Sequence, residues 1–226
     1  MGGDHMTIHG KEITLFPGRT PDAPLAVLHT DGEEAEKIVR LAREQTPEDF
    51  ALAAIAGVDW DRDMTPWPAE AVFKGGAAYP GGGPAYLEKL TGVLLPALEQ
   101  ELGAAPRARY LAGYSLAGLF ALYGALESTA FSRCASVSGS LWYPGWMEWL
   151  EGRLRGPLPE RVYCSVGDRE ARTRNSKLQT VEENTRRTAE LLAADGVQAR
   201  FELNEGNHFQ QPEERTARAL VWLVGE

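Results

Sequence analysis

Apolar residues along this chain follow two periods that alternate from one end to the other. Short apolar runs, typical of buried strands, are separated by segments whose apolar residues recur every three or four positions, as on one face of a helix. Strands are predicted at 25–29, 50–56, 110–112, 131–138, 161–166 and 199–203, after a short β-compatible stretch at 7–16. Strands that alternate with helices indicate an α/β fold with a mostly parallel sheet covered on both faces.

The connections carry the helical pattern. Helices are predicted just after 30–33, over the leucine stripe at 87–101, directly after Ser115, and over 181–194 and 213–223. An irregular segment at 58–84 is rich in Asp, Trp, Pro and Gly. We find no internal repeat and no linker-like change in composition, so we expect one domain over 1–226. Residues 1–5 are interpreted as a cloning remnant before a native Met6 and are left out of the predicted fold.

Composition narrows the class of protein. The 226 residues carry a net charge of −9, which disfavours nucleic acid or an anionic membrane as a partner. No apolar run has the length of a membrane span and the chain does not open like a signal peptide, so we expect a cytoplasmic protein. Cys134 and Cys164 lie in apolar runs without metal-ligand neighbours, which predicts buried free thiols.

The most informative motif is Gly-Tyr-Ser-Leu-Ala-Gly at 113–118. An apolar strand precedes it and an Ala-rich apolar helix follows, which is the context of a nucleophile elbow. The strained backbone at the central serine requires small residues two positions before and after it, and Gly113 and Ala117 fill those places. Gly118 allows the helix to pack close to the sheet. The motif predicts Ser115 as a nucleophile, with an ordinary serine on a Gly-rich turn as the alternative.

A serine hydroxyl needs a base, and the base needs an orienting group. In α/β-hydrolase folds the chain order is serine, acid, histidine, with the partners in loops after late strands. The four histidines are His5, His9, His29 and His208. We assign His5 to the excluded opening segment, His9 to the first strand and His29 to the end of a strand before the nucleophile. His208 alone follows Ser115, directly after the last strand, and is therefore the predicted base.

The acid is expected after the strand at 161–166, where the loop reads Gly-Asp-Arg-Glu at 167–170. The usual spacing of three residues after the glycine that ends the strand selects Glu170. Asp168 competes with it, and would otherwise cap the turn or pair with an arginine. A third alternative is a serine–histidine dyad in which neither carboxylate contacts His208.

The remaining predicted site residues are backbone amides and pocket walls. The oxyanion requires preorganised N–H donors, for which we predict the amide of Leu116 and that of Gly32 or Glu33, unless these two simply begin a helix. Loops at the carboxyl ends of strands form the binding crevice. There we predict Trp142 and Tyr143 as flat apolar walls and Arg62 as a donor to substrate. An aromatic cluster packed beneath the loops is the alternative for the aromatic residues.

The assembled motifs resemble the esterases of the enterochelin-esterase and esterase-D type within the α/β-hydrolase superfamily. The matching pieces are 61–66, 113–118, 138–142 and 206–208, within a resemblance that runs from about residue 26 to the end. Members are serine hydrolases that cleave esters, including siderophore trilactones, without a cofactor. The resemblance therefore implies Ser115 as nucleophile, His208 as base, a small-molecule ester as substrate, and no metal or cofactor.

The sequence thus predicts a serine esterase in which Glu170 orients His208. Two other hypotheses use the same residues. An acyltransferase would pass the acyl group from Ser115 to an alcohol or amine instead of water. A catalytically silent binding protein would keep the fold without the reaction, against which the presence of every expected site residue argues.

Overall fold

One eight-stranded sheet organises the computed structural model, which describes residues 2–73, 75–103 and 105–225. The strands are β1 Asp4–Ile8, β2 Lys11–Phe16, β3 Leu25–His29, β4 Ala51–Ala56, β5 Arg109–Tyr114, β6 Arg133–Val137, β7 Arg161–Gly167 and β8 Gln198–Asn204. Their order in the sheet is β1-β2-β4-β3-β5-β6-β7-β8. β2 pairs antiparallel with β1 and with β4, and every later neighbour is parallel. This is the α/β-hydrolase fold that the sequence predicts.

Helices connect the strands and cover both faces of the sheet. The α-helices are α1 Gly32–Gln45, α2 Trp60–Asp63, α3 Gly83–Lys89, α4 Leu95–Leu102, α5 Leu116–Glu127, α6 Trp146–Arg153, α7 Val181–Ala194 and α8 Pro212–Val224. A π-helical stretch, Leu90–Leu94, joins α3 to α4, and a 3₁₀ turn, Leu178–Thr180, leads into α7. α1 and α8 pack against each other on one face, where their apolar residues form one core with that face of the strands.

The second core lies on the opposite face and is the larger of the two. α5 runs through it and is buried at every position from 117 to 126. A helix that is apolar all round is stable only when it is enclosed, and here the sheet lies on one side while other connecting segments cover the rest. The nucleophile motif therefore sits between a buried strand and a buried helix, so its backbone is held firmly in place.

Most predicted elements agree with the structure to within a few residues. Two predictions near the start of the chain are wrong: the exclusion of residues 1–5 from the fold and the placement of His9 in the first strand. Asp4 and His5 belong to β1, paired with Leu15 and Thr14, so they are part of the sheet. His9 lies in the turn between β1 and β2 with a φ of 47°, outside either strand. The two-residue turn that joins these antiparallel strands requires positive φ at this position.

The cysteines agree with the prediction. Cys134 on β6 and Cys164 on β7 are both buried and free. Among the described residues, no helix combines the length and the apolar character that a membrane span needs.

Candidate active site

The backbone of the turn after β5 is strained at Ser115, where φ is 57° and ψ is −124°. Positive φ is unfavourable for any residue with a side chain, and such strain is typical of functional sites. The close approach explains the small neighbours. A Cβ atom at Gly113 would lie 2.2 Å from the carbonyl oxygen of Ala117. The turn therefore lifts the Ser115 hydroxyl off the end of the strand, as expected of a nucleophile elbow.

A second tight turn packs against the elbow from the neighbouring strand. It follows β6 and contains Ser138, a non-glycine residue with a φ of 46°. A Cβ at Gly118 would lie 3.0 Å from the Cα of Gly139, so both glycines are needed for the two backbones to meet. The amide of Ser140 then donates to the carbonyl oxygen of Ser115 over 3.0 Å. The two turns form one rigid unit.

His208 lies in the loop after β8 and joins Ser115 to Glu170. Its Nε2 is 3.1 Å from the Oγ of Ser115, and its Nδ1 is 2.7 Å from the Oε2 of Glu170. An ionised carboxylate only accepts hydrogen bonds, so Nδ1 carries the ring proton and donates it to Glu170. In the neutral ring Nε2 is then free to accept the hydrogen of the Ser115 hydroxyl.

The Glu170 carboxylate is almost fully buried and is held by three donors. Besides His208, the amide of Gly167 donates to its Oε1 over 2.7 Å, and Nη1 of Arg215 lies 3.3 Å from the same oxygen. Burial by itself raises the pKa of this carboxyl, but the hydrogen bonds from His208 and Gly167 outweigh burial and bring the pKa below its ordinary value. Glu170 is therefore ionised at neutral pH.

Arg215 is 0% exposed on α8, a rare position for a guanidinium. Its Nη1 also donates to the Ser138 hydroxyl over 3.2 Å, and its Nη2 donates to the carbonyl oxygen of Glu205 over 2.9 Å. Arg215 thereby ties the loop that carries His208 to the turn after β6, and it places a positive charge behind Glu170.

Asp168 has a different role from Glu170. Its Oδ1 accepts from the amide of Gly206 over 2.8 Å and lies 3.6 Å from Nε of Arg169, so it joins the loops after β7 and β8.

Tyr114 contacts both the backbone and the ring of His208. Its hydroxyl donates to the backbone oxygen of His208 over 2.6 Å, and the two rings lie 5.3 Å apart.

A cavity of about 530 Å³ opens directly above Ser115 and His208. Its apolar lining comes from several loops and consists of Val72, Phe73, Tyr79, Leu116, Trp142, Leu178, Val181 and Phe209. Charged groups at the wall include Asp61 and Arg169. Because apolar surface dominates, the cavity favours a largely apolar ligand with a few polar contacts.

Two of the three predicted substrate-binding residues lie elsewhere. Trp142 does line the cavity, but Tyr143 is only 1% exposed, and its hydroxyl donates to the carbonyl oxygen of Trp67. Arg62 is outside the lining as well, because its guanidinium turns to Asp63, 3.0 Å away. Of the matching piece at 61–66, the described cavity lining contains Asp61 alone.

The predicted oxyanion donors lie in two different parts of the structure. Leu116 lines the cavity and is the first residue of α5, where backbone N–H groups lack partners within the helix. Gly32 and Glu33 instead line a different depression near the edge of the sheet. A Cβ at Gly32 would lie 2.6 Å from the hydroxyl of Thr14, which shows how closely this residue faces β2. In the described structure they are part of the start of α1.

Arg215, Tyr114, Ser140 and Asp61 contribute to the site without having been singled out from the sequence. For Arg215 there was a signal, because it shares the apolar face of α8 with Ala219 and Leu223. The other three lie inside motifs that the sequence does identify, but nothing in the residue pattern states which way their side chains point.

Comparison with known proteins gives one family match and several structural relatives. The family model described as "Putative esterase" matches residues 25–212. A curated protein of Bacillus subtilis (strain 168), the uncharacterized protein YbbA, is 27% identical over 172 residues, which are 73% of this chain and 69% of YbbA.

Two solved structures illustrate the shared fold. The siderophore hydrolase EstA from Aspergillus nidulans superposes with a TM-score of 0.72 at 18% identity, covering 95% of this chain and 89% of EstA. The enterochelin esterase from Shigella flexneri gives a TM-score of 0.73 at 18% identity and covers 99% of this chain. The chain spans 58% of that longer enzyme.

Proposed function

We propose that this protein cleaves esters through a covalent acyl intermediate on Ser115. The chain belongs to the esterase family whose model matches residues 25–212. Family membership makes the protein a carboxylic ester hydrolase. The observation that carries the mechanism is the hydrogen-bonded chain Ser115–His208–Glu170 at the floor of an apolar cavity.

In the first half of the reaction, the Oγ of Ser115 attacks the ester carbonyl carbon while its proton moves to Nε2 of His208. The carbonyl oxygen becomes an oxyanion, to which the amide of Leu116 donates. Glu170 keeps the imidazole in the required tautomer and stabilises its charged form. The carbon–oxygen bond to the alcohol then breaks, and His208 returns the proton to the departing alcohol oxygen.

In the second half, a water molecule takes the place of the alcohol. His208 removes one proton from that water as its oxygen attacks the acyl carbon, and the bond to Ser115 breaks with return of the proton to Oγ. The products are the free acid and the restored enzyme. No redox step and no cofactor enter this balance.

The lining of the cavity supports an ester with a bulky apolar or aromatic part. Tyr79 and Trp142 offer flat surfaces, and Phe209 projects beside His208 at the mouth with 85% of its surface exposed. The titles of structural relatives name a siderophore hydrolase and an enterochelin esterase. Aromatic acyl esters therefore belong in the substrate panel beside aliphatic ones of graded length.

The test combines covalent labelling with turnover. We expect a fluorophosphonate probe to modify wild-type protein at Ser115, as located by peptide mass spectrometry, and we expect Ser115→Ala to abolish both labelling and ester hydrolysis. Ser165→Ala is the matched control, since Ser165 is a fully buried serine on β7 away from the cavity lining.

Hydrolysis that persists at the wild-type rate in Ser115→Ala would refute the covalent mechanism. Added alcohol or amine acceptors extend the same experiment: free acid as the main product supports hydrolysis, and conjugates as the main product would establish acyl transfer instead.

A further inference from the structure

The mechanism proposed above gives no role to the hydroxyl of Ser140. Ser140 is 2% exposed, it lines the cavity, and its Oγ lies 3.5 Å from the Oγ of Ser115. Among the described residues, Ser115 is the sole hydrogen-bond partner of this hydroxyl. Buried hydroxyls normally have well-formed partners, because an unsatisfied one costs stability. Because the distance to Ser115 is long for a hydrogen bond, we infer that the Ser140 hydroxyl finds a better acceptor on the bound substrate.

The backbone around Ser140 is held in a fixed position beside Ser115. Ser138 adopts its positive φ two residues earlier, and Gly139 packs so closely that a Cβ there would lie 1.9 Å from the Oγ of Ser136. The Ser140 amide is tied to the carbonyl oxygen of Ser115. Strain of this kind persists only where surrounding structure enforces it, so the fold fixes the backbone of Ser140 beside that of Ser115, and the hydroxyl moves only by rotation of its side chain.

The position suits an oxyanion donor. Such donors lie about 2.7–3.1 Å from the oxygen that they stabilise, and that oxygen is bonded to the carbon that Ser115 attacks. A hydroxyl 3.5 Å from the attacking Oγ therefore reaches an oxygen on that carbon by rotation about its own side-chain bonds. Leu116 supplies one amide, while Gly32 and Glu33 lie outside the cavity lining.

Resting on the proposed function, the geometry points to Ser140 as a catalytic residue whose hydroxyl donates a hydrogen bond to the substrate oxyanion. Before attack, the Ser140 O–H donates to the Ser115 oxygen. After attack, that oxygen is an ester-type oxygen and a weak acceptor, so the hydroxyl turns to the negatively charged oxygen. The O–H bond of Ser140 stays intact throughout. Since the better interaction exists only in the transition state, it raises kcat and leaves substrate binding little changed.

The experiment compares Ser140→Ala and Ser140→Cys with wild type on one aromatic ester. Loss of one oxyanion donor lowers kcat by about 10²-fold to 10³-fold, and we expect a loss of this order in Ser140→Ala with KM nearly unchanged. Cysteine preserves the volume but offers only a weak S–H donor, so Ser140→Cys is expected to resemble Ser140→Ala. Phosphonylation of Ser115 should slow in both variants, because the phosphonyl oxygen occupies the oxyanion position.

Ser165→Ala again serves as control, because it removes an equally buried hydroxyl outside the cavity and should keep the wild-type kcat. Wild-type kcat in Ser140→Ala would overturn the inference. So would a slow Ser140→Ala beside a fully active Ser140→Cys, since that result assigns Ser140 a packing role. Loss of the proposed function itself is recognised separately, by Ser115→Ala retaining hydrolysis in the same assay.

Discussion

Two histidines lie at or just after the carboxyl ends of strands in the sheet, and each has a ring nitrogen that is hydrogen-bonded to a hydroxyl. His29 ends β3 and its Nε2 is 2.9 Å from the hydroxyl of Tyr86, while His208 follows β8 and its Nε2 is 3.1 Å from the hydroxyl of Ser115. Their other nitrogens differ. Nδ1 of His208 donates to Glu170, whereas Nδ1 of His29 has no hydrogen-bond partner within the described part of the chain.

The two histidines also differ in solvent exposure and in the charges around them. The His208 side chain is 29% exposed and faces the cavity, but His29 is 1% exposed and enclosed by aromatic rings. Burial, assisted by the positive charge of Lys11 and only partly opposed by Asp63, lowers the pKa of His29 to about 3. A histidine that is hydrogen-bonded to a hydroxyl is thus suited to act as a base only when a carboxylate holds its other nitrogen and substrate can reach it.

The largest effect that would test this contrast is the loss of His208. Removing the histidine of a serine hydrolase triad lowers kcat by about 10⁴-fold to 10⁶-fold, and we expect His208→Gln to fall in this range in steady-state ester hydrolysis. His29→Gln is the matched control and should retain nearly the wild-type kcat, since glutamine can still bond to Tyr86. Comparable losses in the two variants would remove the distinction between the histidines.

The charge behind the base provides the next test. Arg215→Met leaves the buried Glu170 carboxylate without its cation, so the pKa of Glu170, now below its ordinary value, should rise. Activity requires the Glu170–His208 pair to hold a single proton, the one on Nδ1, and loss of a nearby positive charge favours uptake of a second proton by the pair. The acid limb of the kcat/KM profile should therefore shift to higher pH, with kcat at neutral pH reduced about 10-fold to 10²-fold, as for a weakened general base.

Arg218→Met is the control for this second test. Arg218 lies one turn further along α8, where it pairs with Glu202 and Asn204 and does not line the cavity. Its replacement should leave the acid limb in place, and Arg215→Lys should restore much of the wild-type profile. An unshifted acid limb in Arg215→Met would mean that the guanidinium only holds the fold together.

The sequence predicts where the active site lies in the fold better than it predicts which side chains point into it. Period and chain order suffice to locate β3 at 25–29, α7 at 181–194, and the loops that carry Ser115 and His208. Those features follow from local patterns and from the parallel sheet. The family resemblance also agrees, since the chain belongs to the esterase family and shares the fold of a siderophore hydrolase and an enterochelin esterase.

Side-chain direction is what local patterns leave open. Trp142 and Tyr143 are neighbours of similar character, yet one lines the cavity and the other bonds to a backbone oxygen beneath it. Gly32 faces Thr14 because β2 joins the sheet beside β4, a pairing between distant segments. Arg215 turns inward because Glu170 and Ser138 meet it there. Each outcome depends on tertiary neighbours that the residue pattern does not specify.

The last test concerns stability and the buried histidine. The pKa of His29 is about 3 in the folded protein against an ordinary value of 6.5, so between these values the unfolded chain binds a proton that the folded chain does not. The free energy of unfolding should therefore decrease as pH is lowered from 6.5 towards 3. One proton corresponds to about 1.4 kcal/mol for each pH unit.

Urea unfolding at pH 7, 6, 5 and 4 measures this slope directly. His29→Gln should show a shallower decrease than wild type by about one proton, because glutamine does not titrate. His208→Gln should keep the one-proton contribution of His29 to the slope, since His29 is untouched in that variant. The two replacements are chemically identical but differ in effect: His208→Gln removes activity and keeps the contribution of His29 to the pH dependence of stability, whereas His29→Gln keeps activity and removes that contribution. Equal slopes in wild type and His29→Gln would mean that His29 is not held neutral by the fold.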